Sequence, residues 1–287
     1  MSPHANPAWL LDHSHNVYSQ AGEDGILEKV FEVIGIKNRW CVEFGAWDGA
    51  HLSNTANLIH RHEFSAVLIE SHPKRFQLLT SRYEKNCAIY VVKAFVQPDS
   101  PGSLDDILAP TLTPKDFDLL SVDIDGNDYH VWKTVARYEP RVVIIEFNPT
   151  IPDDVEFVQD KDSSLQHGAS ALAICVLGKE KGYEPISMTV NNVILVRREL
   201  FPAFGIADNS VRALRKDRSL ITYIFTGYDG TVLMAGSSRM PWHQVPFLPA
   251  RFQLLPRWLR RYPDDYNLLQ RLAYRVFCKL LTMYARR

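Results

Sequence analysis

Short runs of apolar, β-branched residues alternate, over the first two thirds of the chain, with stretches whose apolar residues recur at helical spacing. This alternation is typical of βαβ units, in which helices connect buried parallel strands. Strands are predicted at Trp40–Phe44, 66–70, 89–96, 117–124 and 142–147, with a closing pair at Tyr183–Met188 and 193–197. The pattern therefore predicts an α/β fold with a doubly wound, Rossmann-like, mostly parallel seven-stranded sheet and flanking helices.

The intervening stretches predict helices at Glu23–Ile34, 53–60, Pro73–Tyr83 and 170–181, because their apolar residues fall on one face. Beyond residue 200 the pattern changes to a hairpin around Asp229 and Gly230, Pro-rich sequence and a basic amphipathic helix at 266–284. We expect an N-terminal cover and helix at 1–38, a core at 39–200 and a C-terminal extension at 201–287.

Composition narrows the class of protein. The formal net charge of −1 gives no global field that would recruit nucleic acid. The four cysteines form no C-x-x-C pair, and no apolar stretch approaches the length needed to span a bilayer. We therefore expect a cytoplasmic protein without structural zinc.

Two acidic strand ends indicate a nucleotide-type cofactor. The first strand runs into a turn with Gly45 and Gly49, and the second ends at Glu70, 25 residues after Gly45, where an acid suits ribose hydroxyls. A dinucleotide site needs a third glycine, and Asp48 inside the turn would repel a pyrophosphate. The turn therefore favours S-adenosylmethionine over NAD.

Several ordered motifs resemble those of the FkbM-type branch of class I S-adenosylmethionine-dependent methyltransferases. They are the segments 18–24, 42–49, 53–55, 103–105, 117–126 and 143–149, which spread the resemblance over 18–197. The resemblance implies O-methylation of a hydroxyl on a small molecule or glycan, often a sugar or a glycosylated metabolite. The chain departs from the family's usual K-I-D-V-E-G at Ser121 and Asp125.

The cofactor contacts follow from these turns together with the resemblance, which also implies that the segment around Gln20 covers the cofactor. We predict contacts at Gln20, Glu43, Gly45, Ala46, Asp48, Gly49, Glu70, Ser71, Ala94, Phe95 and Asp123.

A dense acidic patch follows the fourth strand. Asp123, Asp125 and Asp128 come together there, and Glu146 and Asn148 end the fifth strand. Because neighbouring strands lie about 5 Å apart, these groups could hold Mg²⁺ through Asp123, Asp125, Glu146 and Asn148. Alternatively, Asp123 contacts the cofactor, Asp125 and Asp128 make turn and helix-cap bonds, and Glu146 holds the acceptor directly.

An alcohol acceptor requires a general base, because it is a poor nucleophile until its proton leaves. The catalytic candidates are Asp125 and Asp128 in the acidic patch, His130 directly after it, and His167 in the loop after the fifth strand.

The C-terminal stretch from Arg251 carries nine Lys or Arg residues against Asp264 and Asp265. Its amphipathic helix has two possible roles. It lies on an anionic membrane surface, or it packs on the core or on a second subunit of a homo-oligomer. From the sequence alone we favour packing.

Three functions compete at this stage. The first is an O-methyltransferase, Mg-assisted where a cation is bound. The second is a non-catalytic cofactor-binding or assembly protein that keeps the fold. The third, an NAD-dependent oxidoreductase, is disfavoured by the missing third glycine and by Asp48.

Overall fold

The computed structural model describes residues 6–284, and its contacts form two compact units that divide after Arg218. Of the predicted N-terminal region 1–38, residues 1–5 lie outside the described residues. Arg286 and Arg287 of the basic tail lie outside them as well. No helix within 6–284 combines the length and apolar character needed to cross a membrane.

The first unit is built on a seven-stranded sheet in the order β3-β2-β1-β4-β5-β7-β6. Strands β1 to β5 are parallel, and β7 runs antiparallel to both β5 and β6. The strands are β1 Trp40–Phe44, β2 Ser65–Glu70, β3 Ile89–Lys93, β4 Leu119–Val122, β5 Val142–Glu146, β6 Tyr183–Met188 and β7 Asn192–Arg197. The predicted doubly wound, mostly parallel sheet is confirmed.

Helices flank this sheet and connect most of its consecutive strands. They are α1 Glu23–Ile34, α2 Ala56–His62, α3 Pro73–Tyr83, α4 Leu104–Leu108, α5 Asp128–Thr134, α6 Ala171–Glu180 and α7 Val211–Leu214, with 3₁₀ turns at Trp9–His13 and Phe201–Phe204. The central strands are buried on both faces, so they read as continuous apolar runs rather than as alternating ones.

Several predicted bounds are wrong at the ends of strands. Strand β3 ends at Lys93 rather than at Val96, and β4 covers Leu119–Val122 rather than 117–124. At the start of β4, the Asp118 carboxylate is fully buried and accepts the backbone amides of three residues around Asn38, so it ends the apolar run. Helix α2 begins at Ala56 rather than at Ser53, because the side chains of residues 53–55 bind elsewhere.

The first unit extends to Arg218, beyond the core boundary expected at residue 200. The indole of Trp9 donates to the carbonyl oxygen of Phe204 at 3.1 Å. Arg215 is buried and forms an ion pair with Asp153 at 3.0 Å, while also donating to the carbonyl oxygen of Pro149. These contacts attach the segment 201–218 to the N-terminal 3₁₀ turn and to the loop that follows β5.

The second unit contains a two-stranded hairpin, β8 Thr222–Thr226 and β9 Val232–Gly236, with Asp229 and Gly230 in its turn as predicted. Three 3₁₀ turns follow at Pro249–Phe252, Arg257–Leu259 and Pro263–Asp265. The long helix α8 covers Leu268–Tyr284 and starts two residues later than predicted. Asn267 and Gln270 exchange side-chain to backbone hydrogen bonds at its start, which is a capping box.

Candidate active site

The turn after β1 lies directly against the turn after β4. Gly45 has a left-handed φ of +77°, and a methyl group added there would lie 1.9 Å from the carbonyl oxygen of Asp123. The amides of Gly45 and Ala46 both donate to the carbonyl oxygen of Ile69 at 3.1 Å. The backbone of Gly45 itself is exposed. Glycine is required here because only a bare backbone lets these two turns meet.

Glu70 at the end of β2 holds the far side of the same turn. One carboxylate oxygen accepts the amide of Trp47 at 2.9 Å, and the other accepts the amide of His72 at 2.6 Å. Each carboxylate oxygen has a second lone pair for a ligand hydroxyl. The acid is therefore fixed beside the exposed edge of Gly45, as a ribose-binding group requires.

Glu43 is directed into the protein instead. Its carboxylate accepts the hydroxyl of Ser53 at 2.6 Å, the hydroxyl of Thr55 at 2.8 Å and the amide of Asn54 at 2.8 Å. Burial raises the pKa of the Glu43 carboxyl, and these hydrogen bonds lower it in part. Its contacts fix the start of α2, and its predicted contact with a cofactor stays a prediction.

The other two turn residues also have partners within the protein. The Asp48 carboxylate pairs with Arg82 at 2.9 Å and accepts the amides of Ala50 and His51. Burial acts to raise the pKa of Asp48, but these amides and the Arg82 cation lower it overall. A side chain at Gly49 would meet the ring of Tyr83 at 2.5 Å, so this glycine serves packing against α3. The structure therefore gives Asp48 and Gly49 structural contacts, and their predicted roles at the cofactor are untested.

The remaining predicted cofactor residues lie at the exposed end of the sheet. Ser71 and Phe95 follow β2 and β3 with exposed side chains, while Ala94 is half-buried. Gln20 is exposed within the segment before α1. One oxygen of Asp24 accepts three consecutive amides of that segment, those of Val17, Tyr18 and Ser19, at 2.7–2.8 Å. Asp24 thus anchors the proposed cover segment to α1.

Three carboxylates converge where β4 and β5 end. Asp123, Asp125 and Glu146 each place an oxygen within 4.8 Å of the other two. Asp125 has a left-handed φ of 58°, which bends the chain back beside Asp123. The sequence prediction that the acidic groups of these two strands meet is confirmed for these three side chains.

Asp128 closes this bend without joining the cluster. Its two carboxylate oxygens separately accept the amides of Ile124 at 2.8 Å and Gly126 at 2.9 Å, and the side chain is buried. Burial raises the pKa of its carboxyl, partly opposed by these amides. These contacts match the alternative in which Asp128 makes turn bonds, and they leave it poorly placed as a base.

Crowding also determines the protonation of the cluster. Burial, followed by the charges of Asp128, Asp125 and Glu43, raises the pKa of Asp123 to about 8. Burial and the charge of Asp123 likewise raise the pKa of Glu146, which shares a side-chain hydrogen bond with Asp123. Without a cation, this pair therefore holds a proton at neutral pH.

The raised pKa values give a pH dependence of stability in the absence of divalent cations. Above about pH 4 the unfolded chain releases protons that the folded cluster retains, so the free energy of unfolding falls as the pH rises toward about 8. We expect the melting temperature in chelator to drop by a few degrees from about pH 5 to about pH 8, since 1 kcal/mol corresponds to roughly 2–4 °C at this size. Calorimetry of wild type and Glu146→Gln isolates the contribution of the Asp123–Glu146 pair, because the melting temperature of the variant should depend less on pH. Parallel profiles would contradict the shared proton.

The two histidine candidates differ in their contacts. Nε2 of His130 lies 2.8 Å from the carbonyl oxygen of Gln159, and because a carbonyl can only accept, this ring nitrogen carries a hydrogen and donates it to that oxygen. His167 is exposed, and its carbonyl oxygen accepts the side-chain amide of Asn148 at 2.9 Å. The amide oxygen of Asn148 accepts from Thr150, so this residue, predicted as a metal ligand, contributes to the loop.

Gln159 organises the loop that carries His167, a role that the sequence analysis did not predict. Its side-chain oxygen accepts the amides of His167 and Gly168, both at 2.8 Å, and its side-chain nitrogen donates to Asn127 at 3.0 Å. A lone Gln in a polar loop has no recognisable spacing signal. Asn191, which donates to Glu146 at 3.3 Å from the β6–β7 hairpin, was also missed for lack of any local pattern.

Replacing Gln159 by leucine should release this loop. The change leaves the part-buried amides of His167 and Gly168 without their acceptor, and each lost partner costs about 1 kcal/mol. We expect faster hydrogen exchange confined to 159–168 and a higher KM for the acceptor, with cofactor affinity unchanged. Gln166→Leu is the matched control, because Gln166 is exposed in the same loop. Equal exchange in the two variants would contradict this role.

Comparisons with known proteins fit this architecture. Residues 98–185 match the family model described as the methyltransferase FkbM domain, a segment that includes the three clustered carboxylates. No curated protein matches the chain.

Solved structures give more distant similarities. The N-terminal domain of EvdMO1 with SAH bound is 14% identical with a TM-score of 0.41, covering 61% of this chain and 80% of that one. A SAM-dependent methyltransferase from Aquifex aeolicus is 10% identical with a TM-score of 0.38, covering 67% and 97% respectively. Likenesses this distant carry no information on substrate. The match over 98–185 agrees with the resemblance found in the motifs: this segment is similar to the FkbM domain of methyltransferases.

Proposed function

We propose that the protein transfers the methyl group of S-adenosylmethionine to a hydroxyl of a sugar, glycan or glycosylated metabolite, assisted by a divalent cation such as Mg²⁺. The observation that supports this most is the convergence of Asp123, Asp125 and Glu146 within 4.8 Å, beside the turn at Gly45. A diol presents hard oxygen atoms, and carboxylates of this kind favour a hard cation that can bind such oxygens.

The residues at the ends of β1 to β3 fit the cofactor. Glu70 offers lone pairs beside the exposed backbone of Gly45, and Phe95 offers an exposed aromatic face after β3. These residues would hold the ribose and the adenine, with Gln20 on the cover segment. S-adenosylmethionine supplies the electrophilic methyl group.

The cluster itself fits a cation. Two of its members, Asp123 and Glu146, are desolvated carboxylates that retain a proton when no cation is bound, and Asp125 adds an exposed third carboxylate. A divalent cation there would lower the pKa of a hydroxyl ligand. Asp123, Asp125 and Glu146 would hold it; Asn148 is left out, because Thr150 engages its amide oxygen.

We assign the general base to His167. Its exposed ring is carried on the loop that Gln159 fixes beside Asn148, two residues after Glu146. His130 is a weaker candidate because the carbonyl oxygen of Gln159 occupies its Nε2.

Two measurements test this function. Titration calorimetry with S-adenosylmethionine, S-adenosylhomocysteine and NAD should show binding of the first two, and binding of NAD alone would overturn the cofactor assignment. Transfer of labelled methyl to a panel of sugar diols should stop in EDTA and return with Mg²⁺. Activity insensitive to EDTA would remove the cation, while cofactor binding with no transfer to any hydroxyl would remove the proposed acceptor class.

The base assignment has its own variants. His167→Ala should reduce turnover about 100-fold, within the usual contribution of a general base, without weakening cofactor binding. His243→Ala, an exposed histidine of the second unit, is the control and should leave turnover unchanged. Full turnover in His167→Ala would exclude it.

A further inference from the structure

Helix α8 contacts its own unit on one side and leaves an apolar face uncovered on the other. On the inner face, Gln270 donates to the carbonyl oxygen of Trp258 at 2.9 Å, and the ring of Tyr274 packs 5.6 Å from that of Tyr266. On the outer face, six large apolar side chains are each more than half exposed: Leu268, Leu269, Leu272, Val276, Leu280 and Met283.

These six residues, called the outer stripe below, form one continuous surface. At about 100° per residue they fall within an arc of about 120°, and at 1.5 Å per residue they run along about 22 Å of the helix. Leaving such a stripe in contact with water is unfavourable. Large exposed apolar patches of this kind therefore mark interaction sites. The helix therefore presents an amphipathic outer surface that the unit itself does not cover.

A row of cations borders the stripe. Arg271, Arg275 and Lys279 recur every four residues along one edge, and all three are exposed. Residues 219–287 contain ten Lys or Arg residues against three Asp residues, a formal charge of +7, whereas residues 1–218 carry −8. This concentration of positive charge next to an apolar stripe calls for a partner that is both apolar and anionic.

We propose that α8 lies in the surface of an anionic lipid bilayer, with the outer stripe in the acyl boundary and the cationic row at the headgroups. A symmetric contact with a second copy is less suited to this surface, because the patch would meet itself and place like charges together. Exposed aromatic residues of the same unit, Trp242 and Trp258, are of the type that favours the membrane interface.

Vesicle sedimentation of the full chain tests this proposal. Wild type should bind vesicles of phosphatidylcholine with about a third phosphatidylglycerol at least tenfold more tightly than phosphatidylcholine alone, and raised salt should weaken that binding. Leu272→Asp/Val276→Asp and Arg275→Glu/Lys279→Glu should each weaken binding to the anionic vesicles by about tenfold or more.

Matched control variants show whether binding depends on where a residue is changed or only on the type of substitution. Leu78→Asp/Leu112→Asp and Lys74→Glu/Lys85→Glu make the same changes at exposed positions of the first unit, and they should bind like wild type. Because all the altered side chains are exposed, circular dichroism should show an unchanged fold. Equal binding of wild type to both vesicle types would overturn the proposal. So would sedimentation equilibrium showing a dimer that Leu272→Asp/Val276→Asp dissociates, with no lipid binding.

Discussion

Replacing Gly45 by alanine is expected to lower the free energy of unfolding by roughly 2–4 kcal/mol and to reduce methyl transfer severely. The left-handed backbone costs an alanine about 1–2 kcal/mol, and the new methyl group would lie 1.9 Å from the carbonyl oxygen of Asp123. That oxygen belongs to rigid backbone, so the turn after β4 must move. Asp123 and Asp125 would then lose their alignment with Glu146.

Gly182→Ala is the control for this substitution. Gly182 also has a left-handed φ, +83°, but nothing lies within 4 Å of its added methyl group. An alanine there should therefore lose only the backbone term, about 1–2 kcal/mol, and keep full activity. Urea unfolding and transfer assays on both variants measure the difference. Equal losses of stability would show that the contact between the two turns is unimportant.

The sheet was predictable because its signals are local. Each central strand is an apolar run bounded by turn residues, and α1, α3, β1 and β6 have the predicted bounds. The ends were less predictable. Whether Asp118 continues a strand depends on amides about 80 residues earlier in the chain, which no local pattern contains.

The candidate site shows the same limit at the level of side chains. Glu43 and Glu70 both end a strand with an acid, yet Glu43 is directed inward by Ser53 and Thr55, whereas Glu70 lies beside the exposed turn. Asp125 and Asp128 are the same residue type three positions apart, and the sequence alone does not distinguish them. The left-handed φ of Asp125 places its carboxylate in the cluster, whereas Asp128 binds the amides of the turn. Sequence indicated which residues gather at this edge; only the backbone path determines where each carboxylate is directed.

Replacing Glu146 by glutamine is expected to lower turnover strongly while stabilising the protein in the absence of cation. The variant removes the negative charge that Glu146 places beside the desolvated carboxylate of Asp123, so the melting temperature in chelator should rise at pH 8. Stabilisation by added Mg²⁺ should disappear, because binding to the folded state is lost. Turnover should fall at least about 100-fold, equivalent to roughly 3 kcal/mol of transition-state stabilisation.

Asp128→Asn provides the contrast, because it removes a charge of the same patch with the opposite expected effect on stability. Its two oxygens hold the amides of Ile124 and Gly126 separately, so an asparagine leaves one of those amides facing an amino group. We expect this variant to be less stable than wild type by about 1–3 kcal/mol. Calorimetry in chelator and in Mg²⁺ distinguishes the two residues. A Glu146→Gln variant that is less stable than wild type in chelator would mean that Glu146 supports the fold rather than a cation.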